Sequence, residues 1–344
     1  MSRQGLDPAA ARLAGMASEG AELTQAQPPS RDTPDTAVIE RACRQPESLP
    51  AGREPHALGM RLQHAVDGLA VHGRLHVAAW ERDTADRPLL ISADEVVTAA
   101  STIKVPILAA ALDEVDAGRF DLAQPRAIPS QRTGGSGVLN ALPSLHTLTL
   151  ADLLTLMIIV SDNTATNVVI DLIGMERVNQ FCASAGLKET VLRRKMMDAD
   201  AVRLGLENTT SAHDQATLLD AIAWRNLLPA PLRAFALQAL ERQQFRDGLP
   251  SLLPDEVIVA HKTGELPGVR HDVGVITGTN GRQAVVAVLV SGIEAEPADL
   301  YHGRSASTRS NASSPSAPLA AIGLAAWRAL GDAAAAPGPI CPQG

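Results

Sequence analysis

The chain has few aromatic residues and few cysteines, and both shortages limit what it can be. Aromatic residues make up 2% of its 344 residues, so leucine, valine, isoleucine and alanine must form any core. The three cysteines, Cys43, Cys182 and Cys341, show no disulfide framework, which argues against a small disulfide-stabilised protein. Cys182 lies in an apolar helical stretch, so we expect it to be buried as a small hydrophobic side chain.

Long apolar runs and blocks of basic residues are also absent. No segment is long and apolar enough to span a bilayer, and residues 1–50 lack the apolar centre of a signal peptide. As written, the chain is expected in the cytoplasm, and a periplasmic or secreted location stays open if the true start lies elsewhere. The net charge of −8 and the lack of a Lys/Arg block argue against nucleic acid as a partner.

Lysine is scarce, which makes its positions informative. The chain has four lysines, and one of them, Lys104, follows Ser101 by three positions where an apolar helix is predicted to begin. Residues i and i+3 share a helix face, so the hydroxyl and the amine point the same way. A semi-buried lysine has a lowered pKa and can take the serine proton. Chance predicts about 0.2 such Ser-x-x-Lys pairs. The simpler alternative is a helix N-cap beside a solvated lysine.

A polar triplet, Ser161-Asp162-Asn163, directly follows an apolar stretch at 148–160 that is typical of a buried helix. The simple explanation is that Ser161 or Asp162 caps the next helix. A cap does not require three polar residues in a row, so the triplet is also a candidate for a functional site.

The order of the predicted elements indicates the fold class. Strands are predicted near both ends of the ordered chain and helices between them, with strands over residues 75–80, 89–94, 255–264, 271–277 and 283–291. This order is typical of the α+β class, here with an antiparallel five-stranded sheet flanked by helices and a separate all-helical part.

The same pattern predicts the domain limits. We expect a disordered extension over 1–56, one catalytic domain over 57–332 and a disordered tail over 333–344. Within the domain, the sheet part is predicted to cover 57–97 and 255–332, and the helical part 98–254.

Three motifs occur in a fixed order along the chain: Ser101-x-x-Lys104, Ser161-Asp-Asn163 and Lys262-Thr-Gly264. Together they resemble the signature of the penicillin-interacting serine enzymes, and their spacing is most similar to that of class A β-lactamases. The resemblance spans about residues 57–332. It implies a β-lactamase/transpeptidase-like fold, a monomer that acts on a small molecule, and chemistry without a cofactor or a metal.

The resemblance also implies catalytic roles for four side chains. Ser101 would attack the substrate carbonyl and form an acyl-enzyme, and Lys104 would help to remove its proton. Ser161 would pass a proton to the departing nitrogen. Lys262 would keep the site positive and attract a substrate carboxylate.

Substrate binding is assigned by the same resemblance. Asn163 would bind the substrate side chain and Thr263 its carboxylate, while the backbone N–H groups of Ser101 and Glu265 would form the oxyanion hole. Gly264 belongs to the strand expected to lie beside the substrate. A further carboxylate contact is predicted from the next strand, by Arg270 or His271.

The chain departs from the family at the position of the glutamate that activates the deacylating water. No Glu-x-x-Leu-Asn motif is present, and the aligned position falls on Met196 or Met197. The nearest carboxylates are Asp198 and Asp200. Asp198 is the candidate substitute base, and the alternative is an aspartate that only braces a loop.

Three other features are given ordinary structural interpretations. His261 precedes Lys262 on a strand, so its side chain should face away from the site and serve packing or the surface. The basic run 193–195 is predicted to be a solvated face, and Ser136 is interpreted as a loop serine.

The sequence therefore predicts a serine hydrolase with a Ser101 acyl-enzyme, most simply a β-lactamase. The missing glutamate weakens the expectation of fast turnover but not that of acylation. Two alternatives stay open: a D-alanyl peptidase or esterase on the same scaffold, and a β-lactam-binding sensor that does not hydrolyse its ligand.

Overall fold

The computed structural model describes residues 57–69, 71–84, 87–294 and 316–331. The predictions for the two termini, including Cys43 and Cys341, lie outside the described residues. The domain limits and the division into a sheet part and a helical part stay predictions.

Nine strands and nine α-helices are present in the part of the chain that the structure describes. The strands are β1 (Arg74–Glu81), β2 (Leu89–Ile91), β3 (Val97–Thr98), β4 (Pro125–Ala127), β5 (Thr147–Thr149), β6 (Thr209–Thr210), β7 (Val259–Leu266), β8 (Val269–Thr277) and β9 (Gln283–Ser291). The helices are α1 (Ala57–Asp67), α2 (Lys104–Asp116), α3 (Leu150–Ile159), α4 (Asn163–Ile173), α5 (Met175–Ser184), α6 (Ala199–Arg203), α7 (Ala212–Trp224), α8 (Ala230–Glu241) and α9 (Ala317–Gly331).

The main sheet has five strands in the order β2-β1-β9-β8-β7, and each neighbouring pair is antiparallel. This confirms the predicted α+β class with strands from both ends of the described chain. The central strand β9 is buried on both faces, which explains its nearly continuous run of valine, alanine and leucine. At the opposite end from β2, β7 is an edge strand, so one side of its backbone is not paired within the sheet.

The two faces of the sheet belong to two hydrophobic clusters. On one face, Val286 and Val288 of β9 pack with Leu319 and Ile322 of α9. On the other face, the alternate β9 residues join the core of the helices between β2 and β7. The predicted burial of Cys182 is confirmed in this second cluster, where burial raises the pKa of its thiol to about 12.

Two features of the helical part position the site. Thr149 and Asp152 form a capping box that starts α3, and α3 then runs through the core as the apolar sequence predicts. Before α3, where no strand was predicted, the structure has the short antiparallel pair β4–β5. Strands of two or three residues are too short to show a period-two pattern. None of the described helices is long and apolar enough to cross a membrane.

Candidate active site

Ser101 lies in a 3-10 turn, Ala100–Ile103, that leads directly into α2. Side chains at i and i+3 are aligned in such a turn, so Ser101 and Lys104 keep the shared face that the sequence predicts. Ala100, the residue before the serine, has a φ of +46°, in the left-handed region. Non-glycine residues in that region store strain of roughly 1 kcal/mol or more, a cost often found at functional sites.

Lys104 is fully buried, and its amine is held by three oxygens. Nζ lies 2.7 Å from the carbonyl oxygen of Ser161, 2.9 Å from Ser161 Oγ and 2.9 Å from Asn163 Oδ1. The ammonium form donates to all three oxygens, whereas the neutral form donates to two and keeps a lone pair. The amine therefore connects the first motif directly to the second.

Burial lowers the pKa of the Lys104 amine well below its ordinary value, the nearby charge of Lys262 lowers it further, and Asp162 opposes both effects. A lysine with a lowered pKa has a larger neutral fraction near pH 7. A neutral amine can accept the proton of a serine hydroxyl, which is the chemistry that Ser101 requires.

The polar triplet performs two tasks at once. Asp162 caps α4 by accepting from Ala165 N–H at 2.9 Å, so the simple explanation of the triplet holds for this residue. Its other oxygen accepts from the backbone N–H groups of Val138 and Leu139. Ser161, with a φ of +54°, turns back toward Lys104. The capping aspartate thus ties the loop at 134–139 to the turn that carries the functional serine.

The third motif lies beside the nucleophile on β7. A Cβ atom on Gly264 would be 3.1 Å from the backbone nitrogen of Ser101, so only glycine lets the strand approach this closely. Lys262, on the same face, is fully buried, and its Nζ donates to Thr263 O at 2.8 Å. Burial lowers the pKa of Lys262 to about 7, and the Asp272 carboxylate acts in the opposite direction.

His271 has a structural role, contrary to the prediction that it binds a substrate carboxylate. Its Nε2 lies 2.8 Å from Thr98 O, and its Nδ1 accepts from Val290 N–H at 3.2 Å. Burial lowers the pKa of the ring to about 4. Both nitrogens are therefore occupied, and near pH 7 the ring lacks the charge that would attract a carboxylate.

Arg270 is engaged at the end of the β7–β8 hairpin. It donates to Glu265 Oε1 at 2.8 Å and forms a second ion pair with Asp247. These two partners already compensate the charge of Arg270. Its contact with a substrate carboxylate stays a prediction, as does the oxyanion contact of the Glu265 backbone.

Met197 lies near Asn163. It is one of the two residues that align with the missing deacylation glutamate. A Cβ atom on Gly135 would be 2.7 Å from Asn163 Nδ2 and 3.2 Å from Met197 Sδ, so the amide and the thioether both lie against Gly135. Met197 is 58% exposed, whereas Met196 is 8% exposed and packs in the core. A thioether is only a weak hydrogen-bond acceptor and cannot act as a general base.

Asn167 holds this methionine pair in place. Its Oδ1 accepts from Met196 N–H at 2.8 Å, and its Nδ2 donates to Met196 O at 3.1 Å and to Thr133 Oγ1 at 3.1 Å. Asn167 belongs to the extended second motif, but the sequence analysis gave it no role. The spacing from Asn163, one helical turn, was the signal that both side chains leave α4 on one face.

Asp198 has a structural role, in line with the alternative interpretation that it only braces the local structure. Its Oδ1 accepts from Ala201 N–H at 3.0 Å and caps α6, and Asp200 pairs with Arg203. A deacylating role for Asp198 stays a prediction that these contacts do not favour. The prediction of a solvated basic run was wrong for Arg194, which is buried and pairs with Glu207 at 2.8 Å.

A cavity of about 380 Å³ lies elsewhere, between α7, α8 and the sheet. It is lined by Trp224, Arg233, Leu237, Ile258 and eight further residues, among them Arg82, whose guanidinium carbon lies 5.9 Å from the centroid of the Trp224 ring. Within the described residues, no group of three or more His, Cys, Asp or Glu side chains is arranged to hold a metal ion.

The three motifs thus meet around Ser101. Comparison with known proteins identifies the family of the chain. The model of the beta-lactamase enzyme family matches residues 61–313. The chain belongs to this family. By family and fold it is a β-lactamase-like serine hydrolase with a β-lactamase/transpeptidase-like architecture.

Its similarity to individual members of the beta-lactamase family is distant. The chain is 29% identical to the extended-spectrum beta-lactamase PER-1 of Pseudomonas aeruginosa, over 62% of this chain and 73% of PER-1. It is 26% identical to the beta-lactamase regulatory protein BlaB of Streptomyces cacaoi, over 63% of this chain and 83% of BlaB. The structure of PBP-A matches with 28% identity and a TM-score of 0.66, covering 82% of this chain and 98% of PBP-A.

Proposed function

We propose that this protein acylates Ser101 with β-lactams and releases the acyl group slowly, as a β-lactamase of low turnover. The observation that carries the proposal is the Lys104 amine, which is fully buried, has a lowered pKa and is hydrogen-bonded to both Ser161 and Asn163.

In the acylation step, Ser101 Oγ attacks the lactam carbonyl carbon while its proton moves to Lys104 Nζ. The carbonyl C–N bond then breaks, and the leaving nitrogen receives a proton from Ser161, which is replenished by Lys104 across the 2.9 Å hydrogen bond. The negative charge on the carbonyl oxygen is stabilised by the backbone N–H groups of Ser101 and Glu265.

Substrate binding uses the free edge of β7. A β-lactam lying along this edge places its carboxylate near Lys262 and Thr263 and its side-chain amide near Asn163. The Lys262 cation attracts the carboxylate, and because the amine is buried, the attraction is stronger than it would be in water.

Deacylation requires a water molecule and a base to activate it. Met197, near Asn163, cannot act as a base, and the Asp198 carboxylate caps α6 through Oδ1, so these contacts do not favour either side chain as that base. This favours a second candidate function, in which the protein keeps the acyl group and acts as a β-lactam-binding sensor. Its similarity to BlaB, which is named as a beta-lactamase regulatory protein, is compatible with such a role.

Intact-mass spectrometry tests the proposal. The protein is mixed with a penicillin or a cephalosporin and sampled from seconds to hours, with Ser101→Ala as the control. We expect an adduct on the wild-type protein that forms within seconds and clears over minutes to hours while the drug is consumed.

The other outcomes decide between the alternatives. An adduct that never clears indicates the sensor. No adduct on the wild-type protein contradicts the proposal and directs attention to ester and D-alanyl peptide substrates, which the same mixture experiment can test.

A further inference from the structure

A buried histidine–aspartate pair lies on the face of the sheet opposite the active site. His261 of β7 and Asp272 of β8 are both fully buried. Nδ1 of His261 is 2.9 Å from Asp272 Oδ1 and 3.0 Å from Oδ2, and Asp272 Oδ2 also accepts from Leu249 N–H at 2.8 Å. The mechanism above uses neither side chain.

The surroundings leave room for this pair. A Cβ atom on Gly248 would lie 2.3 Å from Asp272 Oδ2, and one on Gly274 would lie 2.6 Å from the Cβ atom of His261. Larger residues at these two positions would displace the pair, so the packing of the loop before β7 and of β8 accommodates it specifically.

The pair is costly to bury. A carboxylate only accepts hydrogen bonds, so the ring hydrogen is on Nδ1 of His261. Nε2 of the same ring is buried and has no hydrogen-bond partner among the described residues. Leaving such a buried polar atom unpaired destabilises the folded state. An apolar pair of similar volume would avoid this cost, which indicates that the negative charge of Asp272 has a use.

The strand register places that charge next to Lys262. Lys262 is paired with Val273 and Thr263 with Asp272, so Asp272 is the diagonal neighbour of Lys262 across the β7–β8 ladder. The lysine projects toward the site and the aspartate toward α9. The backbone and buried side chains between them exclude water and therefore screen the two charges weakly.

Among the described residues, few other titratable groups face Lys262. On the site side these are Lys104 of α2, whose charge repels it, and the neutral ring of His271 on β8. Asp162, before α4, acts on Lys104. On the opposite side of the sheet, the group in contact with Asp272 is His261. Asp272 is thus the carboxylate that acts on Lys262 from the neighbouring strand.

We propose that Asp272 is a positioning residue for the reaction: its buried carboxylate, oriented by His261 and Leu249, is the counter-charge that keeps Lys262 an ammonium ion. The importance of that ion for acylation rests on the proposed function. The electrostatic coupling itself does not, because it exists without substrate.

The scarcity of lysine makes the coupling directly measurable. Lysine labelled with ¹³C at Cε gives four signals from this chain, and Lys262→Arg and Lys104→Arg identify the two buried ones. Their pH titration in the full-length protein, without any substrate, reports the pKa of Lys262. We expect Asp272→Asn to lower that pKa from about 7 by about one unit. The pH above which acylation by a penicillin slows should fall by the same amount.

Two control variants separate charge from packing. His261→Asn removes the ring but keeps a donor for the Asp272 carboxylate, so the titration of Lys262 should stay within about 0.3 units of wild type. Asp220→Asn removes a different buried carboxylate, which binds Trp80 and Arg225, and should leave the titration unchanged.

The result that overturns the proposal is an unchanged Lys262 titration in folded Asp272→Asn. If Asp272→Asn alone does not fold, the double variant Asp272→Asn/Lys262→Met decides. Recovery of folding in the double variant supports the charge coupling, whereas persistent unfolding indicates a purely structural aspartate. A shifted titration without any acyl adduct would sustain this inference and refute the proposed function instead.

Discussion

The two sides of Ser101 are built differently. On the acylation side, Lys104 and Lys262 are fully buried, and each amine is hydrogen-bonded to groups of the neighbouring motifs or of its own strand. On the deacylation side, Met197 is 58% exposed on a surface loop, and the nearby Asp198 caps a short helix. Groups fixed in the core cannot change without disturbing the fold, whereas a loop residue can. The groups proposed to act in bond cleavage are therefore held by the core, and those near the expected deacylation position lie on a loop.

The largest expected effect concerns the acylation side. Lys104→Met, which keeps most of the side-chain volume, should slow acylation of Ser101 by about 10³-fold, because the base that accepts the serine proton is lost. Adduct formation timed by mass spectrometry measures this effect. Lys195→Met serves as the matched control, since Lys195 pairs with Asp171 away from these contacts, and should acylate like wild type. A Lys104→Met rate within tenfold of wild type would contradict the assignment.

The next effect is the pH dependence of acylation. The pKa of Lys262 is about 7 in the folded protein, so the side chain is a cation below that pH and becomes neutral above it. Acylation by a penicillin, whose carboxylate needs the cation, should fall about tenfold per pH unit above about 7. Stopped-flow rates of acylation between pH 5 and 9 measure this alkaline limb of the pH profile. Lys262→Arg stays charged throughout and should lack the limb; an identical limb in that variant would assign it to another group.

A carboxylate base introduced on the deacylation side should partly remove the difference between fast acylation and slow release of the acyl group. Met197→Glu places a carboxylate beside Asn163 and should speed release of the acyl group by about tenfold, less than an optimised general base provides. Acylation should change by less than about threefold. Met197→Gln has the same shape without the charge and should gain nothing. Equal gains in both variants would show that loop mobility, and not a base, limits release.

The smallest expected effect concerns Asp198. Asn is as good an N-cap as Asp, so Asp198→Asn should keep α6 and leave deacylation within about twofold of wild type. The decay of the acyl-enzyme signal measures this, and circular dichroism checks the fold. A tenfold slower release with normal acylation would identify Asp198 as the water-activating base and remove the difference between the two sides.

Several features were accessible from the sequence because they depend on short-range spacing. Ser101 and Lys104 share a face whether the turn is α-helical or 3-10, so their proximity follows from a separation of three residues. The apolar run of α3 predicts burial, and alternation along β7 predicts that His261 faces away from the site, as it does. Two- and three-residue strands such as β4 carry too little pattern to be found this way.

The environment of individual side chains was decided only by the tertiary structure. His271 became a neutral packing residue because Thr98 and Val290, distant in sequence, occupy its two nitrogens. Arg194 became buried because Glu207 folds back to pair with it.

The chemical groups of this protein follow from its sequence, and so does the pairing of strands from both ends of the described region in one sheet. Motif spacing and hydrophobic periodicity are local properties that a chain carries before it folds. Only the tertiary structure decided which charges are buried together, as in the coupling of Lys262 to Asp272. Burial and the interaction between charges depend on the distances between distant segments, and those distances exist only once the chain has folded.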